Sequence, residues 1–248
     1  MTYRRFIILA QERTGSNFLA SLLGSHRHVR VFGELFNPND AIRKRSTAVE
    51  PLQDQQDPVD YLEKTVWSGY PPEVKAVGFR LFYNHAREDK WRAVWDYVKR
   101  GDVHVVHLRR RNLLDRYLSH QLAMNTDKWI LFNDQERRPS EAITINPQAC
   151  LTDFHERTWF IEEAENVFEE SPRFEVFYED LAADSRKEMR KIQQFLGLAV
   201  ADLSAETKRQ RKKEKTDLIA NYDELRQEMT RYWEKGWVRE EWLAFFDE

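Results

Sequence analysis

The feature that most constrains the fold is the stretch FIILAQERTGSNFLASLL, residues 6–23 of the 248-residue chain. Its apolar beginning predicts a buried strand, Gly15 marks a polar turn, and the residues from Ser16 onward have helical spacing. The first backbone N–H groups of such a helix and its dipole attract an anion. The stretch therefore predicts an anion site where the strand passes into the helix.

Further strands and helices alternate along the chain. β-branched and apolar residues predict buried strands, and spacing of three and four residues predicts helices. The strands are expected at 5–11, 75–79, 103–109 and 173–181, and the helices at 88–99, after the N-cap residue Asn112, at 151–168 and at 184–196, ending at Gly197. This alternation predicts an α/β fold with a central parallel sheet flanked by helices.

The length favours a single domain over 1–248, because one core can grow to about 250–300 residues. Residues 125–147 lack periodicity and are predicted to form an irregular excursion at the rim of a binding site. The segment 206–248 begins with the basic run ETKRQRKKEK and continues as a helix. Taken alone, the basic run is interpreted as a solvated helix face. The tryptophan-rich end packs either within the chain or on a second subunit, and the oligomeric state is left open.

Composition excludes several classes of protein. A net charge of −3 and a pI near 6.2 argue against a dedicated nucleic-acid binder. The single cysteine, Cys150, cannot form an intrachain disulfide and fits a reducing compartment, so we expect a cytoplasmic protein. The apolar run near the start is too short for a signal peptide. No stretch approaches the roughly 20 apolar residues that span a bilayer, so no membrane span is expected.

The turn at Gly15 differs from the loop of nucleotide triphosphatases. That loop requires G-x-x-x-x-G-K-[ST], whereas Asn17 follows Ser16 here and no lysine begins the helix. A Mg²⁺-dependent kinase or ATPase is therefore poorly supported. The turn instead offers the cation Arg13 and the hydroxyls of Thr14 and Ser16, which can donate to phosphate or sulfate oxygens.

Two motifs carry a resemblance to a known family. QERTGSNFL resembles the 5′-phosphosulfate loop of sulfotransferases that use 3′-phosphoadenosine 5′-phosphosulfate (PAPS). HLRRRNLLDRYLSHQLA, residues 107–123, resembles their 3′-phosphate motif, with Arg111 eight residues before Ser119. Arg109 and Arg110 are alternatives to Arg111, and Leu113 stands where the family often has proline. FGELFNP, VGFRLFY, VFYEDLAADSRKEMRKIQQFLGL and TDLIANYDEL are similar to the bacterial branch with nodulation-factor and trehalose sulfotransferases.

The resemblance implies a P-loop-like three-layer fold and a PAPS-dependent sulfotransferase. Such an enzyme moves a sulfuryl group by in-line displacement to a hydroxyl of a carbohydrate, a glycolipid or another small acceptor, and releases 3′-phosphoadenosine 5′-phosphate (PAP). The residues implied to hold the phosphosulfate are Arg13, Thr14, Gly15, Ser16 and Asn17. Arg111 and Ser119 are implied to hold the 3′-phosphate. Lys208 and Arg211 are implied to contact the 3′-phosphate or ribose, with a surface role as the alternative.

The acceptor hydroxyl needs a base in the transition state. Glu34 lies in GELF, where related bacterial enzymes carry a glutamate proposed as the base, and it is our first candidate. Its alternative is a structural salt bridge to Arg13 or Arg80. His85 is the reserve base.

Two further readings stay open. One is a nucleotide-dependent small-molecule kinase of the same architecture, and the other is a non-catalytic nucleotide-binding scaffold. A metal is not expected, because no His, Cys and Asp residues have the spacing of metal ligands.

Overall fold

The computed structural model describes residues 3–45, 49–53, 55–126, 141–205 and 214–247. Within these ranges, no helix is both long and apolar enough to cross a membrane. The strands are β1 Arg4–Ala10, β2 Val29–Phe32, β3 Ala76–Phe82, β4 Val103–Arg109 and β5 Arg173–Phe177. The α-helices are α1 Ser16–Gly24, α2 Asp40–Arg45, α3 Pro58–Tyr61, α4 Ala93–Val98, α5 Leu113–Thr126, α6 Pro147–Val167, α7 Tyr178–Ala183, α8 Ser185–Phe195, α9 Lys215–Leu218, α10 Tyr222–Glu234 and α11 Glu240–Leu243.

The strands form a parallel sheet in the order β2-β3-β1-β4-β5. β1 lies in the centre, with β3 on one side and β4 on the other. This arrangement confirms the predicted α/β fold with a central parallel sheet and flanking helices. Because the strands are parallel, the segments that follow β1, β2 and β3 meet at one edge of the sheet, where α/β proteins bind ligands.

Alternation along β1 explains how this edge is built. Phe6, Ile8 and Ala10 point to one face of the sheet and belong to a buried cluster with Leu19 and Leu22 of α1. That cluster fixes α1 against the strand that precedes it. The start of α1 is consequently held at the carboxyl edge of the central strand.

Three sequence predictions require correction. β2 was not predicted, because four residues are too few to show a period. The expected helix over 88–99 is a 3₁₀ turn, Asp89–Trp91, followed by the shorter α4. The strand predicted over 173–181 ends at Phe177, and α7 starts at Tyr178 with two acidic residues in its first turn, which suits the positive end of a helix dipole.

The chain divides into two compact units, one comprising residues 1–109 and 163–206 and the other residues 110–162 and 207–248. Unit 1 contains the sheet. Unit 2 has its own core, in which Trp242 and Phe246 are buried with Phe154, so this part of the tryptophan-rich end packs within the chain. The single domain over 1–248 stays a prediction. Of the predicted excursion at 125–147, residues 127–140 lie outside the described residues.

Candidate functional site

The turn after β1 combines two left-handed residues. Arg13 has φ +66°, and Gly15, which caps α1, has φ +87°. The Thr14 hydroxyl donates to the carbonyl of Gln11 at 2.8 Å, and the Leu19 N–H donates to the Gly15 carbonyl at 3.0 Å. A non-glycine residue with positive φ is uncommon and is typical of functional turns. The turn directs the first N–H groups of α1 toward the carboxyl edge, as an anion site requires.

Gly15 is required for a second reason. A Cβ atom at this position would lie 2.6 Å from Cδ2 of Tyr178, at the start of α7. The aromatic ring therefore covers the turn so closely that a side chain at residue 15 does not fit. Thr14 is fully buried and its hydroxyl proton is already bonded within the turn, so that proton is not available to a ligand.

Glu34 follows β2 and is held on both carboxylate oxygens. Its Oε1 lies 3.2 Å from Nη1 of Arg80, and its Oε2 accepts from Nδ2 of Asn37 at 2.6 Å. The same Arg80 Nη1 donates to Oδ1 of Asn17, in the first turn of α1. The structure therefore contains the ion pair to Arg80 that was the alternative role for Glu34. It also connects that carboxylate to the first turn of α1, next to the predicted anion site.

His85 lies beside the same carboxylate, with Nε2 3.6 Å from Glu34 Oε2. Burial and, to a smaller extent, the charge of Arg80 together lower the pKa of His85 to about 3, so the ring is neutral at physiological pH. Its Nδ1 accepts from the Phe82 N–H at 3.2 Å, which assigns the ring proton to Nε2, facing Glu34. His85 thus presents a donor at this position, and the geometry favours Glu34 over His85 as the base.

In unit 1, Arg109 at the end of β4 pairs with Glu165 at 2.7 Å and with Glu175 at 3.0 Å. These two carboxylates give Arg109 a structural role. Next to it, the buried His107 bonds the hydroxyl of Tyr83 at 2.6 Å, as expected of a core histidine.

In unit 2, Asn112 is confirmed as the N-cap of α5, because its Oδ1 accepts from the Asp115 N–H at 2.8 Å. Arg110 is buried and lies 3.3 Å from Asp115 Oδ2, whereas Arg111 is exposed. Ser119 lies seven residues after Asn112, hence on the same side of the helix as its start. Among the three neighbouring arginines, Arg111 is the one whose exposure suits a phosphate ligand. Lys208 and Arg211 lie outside the described residues.

Sequence reasoning missed three residues around this site. Arg80 as a bridge and Tyr178 over the turn act through contacts between distant segments, whereas Asn37 contacts Glu34, three residues before it. The only local signal was the Asn37-Pro38 pair, which marks a turn. Within the described ranges, no group of three or more His, Cys, Asp or Glu residues is arranged to hold a metal ion.

Gln11 provides a prediction about stability. It is 1% exposed, and neither its Nε2 nor its Oε1 has a hydrogen-bond partner within the described part of the chain. An unsatisfied buried polar group costs about 1–3 kcal/mol, so we expect Gln11→Met to raise Tm in a calorimetric unfolding experiment.

The matched control is Gln193, also 1% exposed, whose amide bonds Ala201 N–H at 2.8 Å and the Met189 carbonyl at 3.1 Å. Gln193→Met should lower Tm, because those partners lose their bonds. A fall in Tm for Gln11→Met would show that the Gln11 amide is satisfied in solution.

Residues 5–202 match the model of the sulfotransferase family, whose members are transferases. The chain belongs to that family. It is 27% identical to Nodulation protein H of Rhizobium meliloti over 233 residues, which cover 90% of each chain. It is also 27% identical to Nodulation protein H of Rhizobium tropici over 232 residues, covering 89% of this chain and 87% of that protein.

The fold is similar to the crystal structure of a sulfotransferase from Alicyclobacillus acidocaldarius. The TM-score is 0.55 at 14% sequence identity, and the match covers 99% of this chain and 96% of that one. At this identity the likeness concerns the fold alone. It agrees with the P-loop-like architecture expected from the sequence.

Proposed function

We propose that this enzyme transfers the sulfuryl group of PAPS to a hydroxyl of a carbohydrate or glycolipid acceptor. The observation that carries the proposal is the contact of Arg80 with both Asn17 and Glu34. It connects an anion-binding turn to a carboxylate, and sulfuryl transfer requires both groups near one reacting centre.

The donor is assigned to the two family motifs. Arg13, the N–H groups of the turn and the Ser16 hydroxyl bind the phosphosulfate, where negative charge grows on the departing phosphate during transfer. Arg111 and Ser119 bind the 3′-phosphate. Lys208 and Arg211 keep their role at the 3′-phosphate or ribose as part of this proposal. The chemistry needs positioning and neutralisation of charge, so no metal is invoked.

In the transfer step, the acceptor oxygen forms a bond to sulfur while the bond from sulfur to the 5′-phosphate oxygen breaks. The proton of the acceptor hydroxyl passes to Glu34, and PAP leaves. Each carboxylate oxygen can accept about two hydrogen bonds. Oε2 already accepts a hydrogen bond from Asn37 and faces His85 Nε2 at 3.6 Å, whereas among the described residues Oε1 has the ion-pair contact with Arg80 and accepts no hydrogen bond. We therefore assign the transferred proton to Oε1.

The acceptor class rests on the resemblance to bacterial carbohydrate sulfotransferases and on the similarity to Nodulation protein H. A sugar hydroxyl needs a base beside the donor, which Glu34 supplies in this proposal. The cytoplasm remains the proposed location, in keeping with a single buried cysteine. A nucleotide-dependent kinase would need a lysine in the loop, which this chain lacks. A non-catalytic scaffold would bind the nucleotide without turnover.

The test is calorimetry without added metal, comparing PAP with ATP, AMP and adenosine 5′-phosphosulfate. We expect PAP to bind most tightly, and Arg111→Ala to weaken PAP binding by about 10- to 100-fold. This loss corresponds to one charge-assisted contact of about 1.5–3 kcal/mol. Adenosine 5′-phosphosulfate lacks the 3′-phosphate, so its binding should be nearly unaffected by the substitution.

The control is Arg231→Ala, which removes an exposed arginine of unit 2 that pairs with Glu228. It changes the net charge equally and should leave PAP binding unchanged. Equal or tighter binding of ATP by the wild type, or no binding of PAP, would overturn the proposed donor and favour the kinase or scaffold alternatives.

A further inference from the structure

We infer that Arg80 is a positioning residue that couples the donor turn to the catalytic base. The inference rests on the proposed function and assigns Arg80 a part in it. One guanidinium nitrogen, Nη1, contacts Oδ1 of Asn17 and lies 3.2 Å from Oε1 of Glu34. Any shift of the guanidinium therefore changes both contacts together.

The sheet order explains why a residue of β3 takes this position. β3 lies between β2, which leads to Glu34, and β1, which leads to the turn and α1. The register places Arg80 beside Ile8 of β1, and the Arg80 N–H donates to the carbonyl of Gly33 at 3.1 Å, next to Glu34. Arg80 is therefore anchored by its own backbone to the segment whose carboxylate it contacts.

The burial of Arg80 indicates that its charge orients a neighbouring group. Its side chain is 10% exposed and that of Glu34 is 12% exposed. Burial lowers the pKa of Arg80, and the charge of Glu34 opposes that shift. A buried ion pair often contributes less stability than apolar residues of the same volume. A pair retained at this edge of the sheet instead fixes the direction of the carboxylate.

The other contacts of Glu34 are made by Oε2, so Arg80 is the residue that orients Oε1. Asn37 is bonded to Oε2, and His85 faces the same oxygen at 3.6 Å. Asn37 is itself fixed, because its carbonyl accepts from Arg43 Nη1 at 2.9 Å. Oε1, the oxygen assigned to the proton, is held by Arg80. Without Arg80 the carboxylate is fixed on one side only and can rotate away from the acceptor hydroxyl.

The experiment is a double-mutant cycle with Arg80→Met and Glu34→Gln. Turnover is measured as PAP release from PAPS, with trehalose as the acceptor probe. A misplacement of about 1 Å can reduce a rate about 100-fold, so we expect this loss of kcat for Arg80→Met in the wild-type background. In the Glu34→Gln background the same substitution should have little further effect, because its target is absent.

Two further measurements separate positioning from other roles. PAP affinity and the KM for the acceptor should change little in Arg80→Met, since the residue acts through Glu34. Arg80→Lys, which keeps the charge but loses the planar fork, should recover part of kcat and serves as the folded variant if Arg80→Met does not fold.

The contrary outcomes are distinct. An equal loss of kcat in both backgrounds would mean that Arg80 acts on the reacting atoms directly, and a large loss of PAP affinity would make it a donor ligand. Either result overturns the inference while leaving the proposed function intact. Failure of the wild type to bind PAP, or turnover unaffected by Glu34→Gln, would instead overturn the proposed function or its base.

Discussion

In Glu34→Gln, kcat should fall by about 10²- to 10⁴-fold, which is the usual contribution of a positioned general base. The amide keeps the size of the side chain but cannot accept the proton of the acceptor hydroxyl. PAP affinity should stay close to that of the wild type, because Glu34 contributes no contact to the proposed donor site. Steady-state rates with PAPS and calorimetry with PAP measure the two quantities separately.

The substitution also leaves the Arg80 charge buried without its carboxylate, and breaking a buried ion pair costs about 3–5 kcal/mol. Glu63→Gln is the matched control. Glu63 forms a bidentate pair with the buried Arg5 at 2.6 and 2.8 Å. Because Arg5 lies at the beginning of β1, this pair is at the opposite end of the strands from Glu34. Both variants should lose stability in a denaturant titration, but only Glu34→Gln should lose kcat. Full turnover in Glu34→Gln would mean that Glu34 serves only as a structural ion pair.

The parts of the site that follow one another in the chain were predictable. Strand, turn and α1 are encoded within residues 6–23, and a helix start next to Arg13 already indicates an anion. The cap at Asn112 was predictable for the same reason, since a capping residue acts within a few positions of itself. Residues that are close together in the chain determine these features, so they can be predicted from the sequence.

The connections between distant segments were not predictable. The sequence left Glu34 with two arginine partners, and the choice of Arg80 depends on β3 lying between β1 and β2. The neutral state of His85 depends on burial, which a residue after a strand does not reveal. The contact between Tyr178 and Gly15 spans more than 160 residues and depends on where α7 begins. Only the three-dimensional packing determines these features.

The glycine of the turn between β1 and α1 gives the second large effect. For Gly15→Ala we expect PAP affinity to fall on the order of 100-fold, equivalent to about 2.8 kcal/mol. The left-handed conformation alone costs an alanine about 1–2 kcal/mol, and the new Cβ would also lie 2.6 Å from the Tyr178 ring. The turn must shift to relieve the backbone strain and the overlap with the ring. This shift moves the N–H groups proposed to bind the phosphosulfate. Calorimetry with PAP and thermal unfolding measure the two consequences.

Gly24→Ala is the control within the same helix. A Cβ at Gly24, the last residue of α1, meets nothing within 4 Å. It should therefore leave PAP binding unchanged and raise stability slightly, because alanine favours a helix by up to about 1 kcal/mol over glycine. Gly15→Ala combined with Tyr178→Ala removes the overlap with the ring but not the backbone strain, so part of the affinity should return. Wild-type affinity in Gly15→Ala would mean that the turn does not bind the donor through its backbone, since the altered geometry would then have no effect on the ligand.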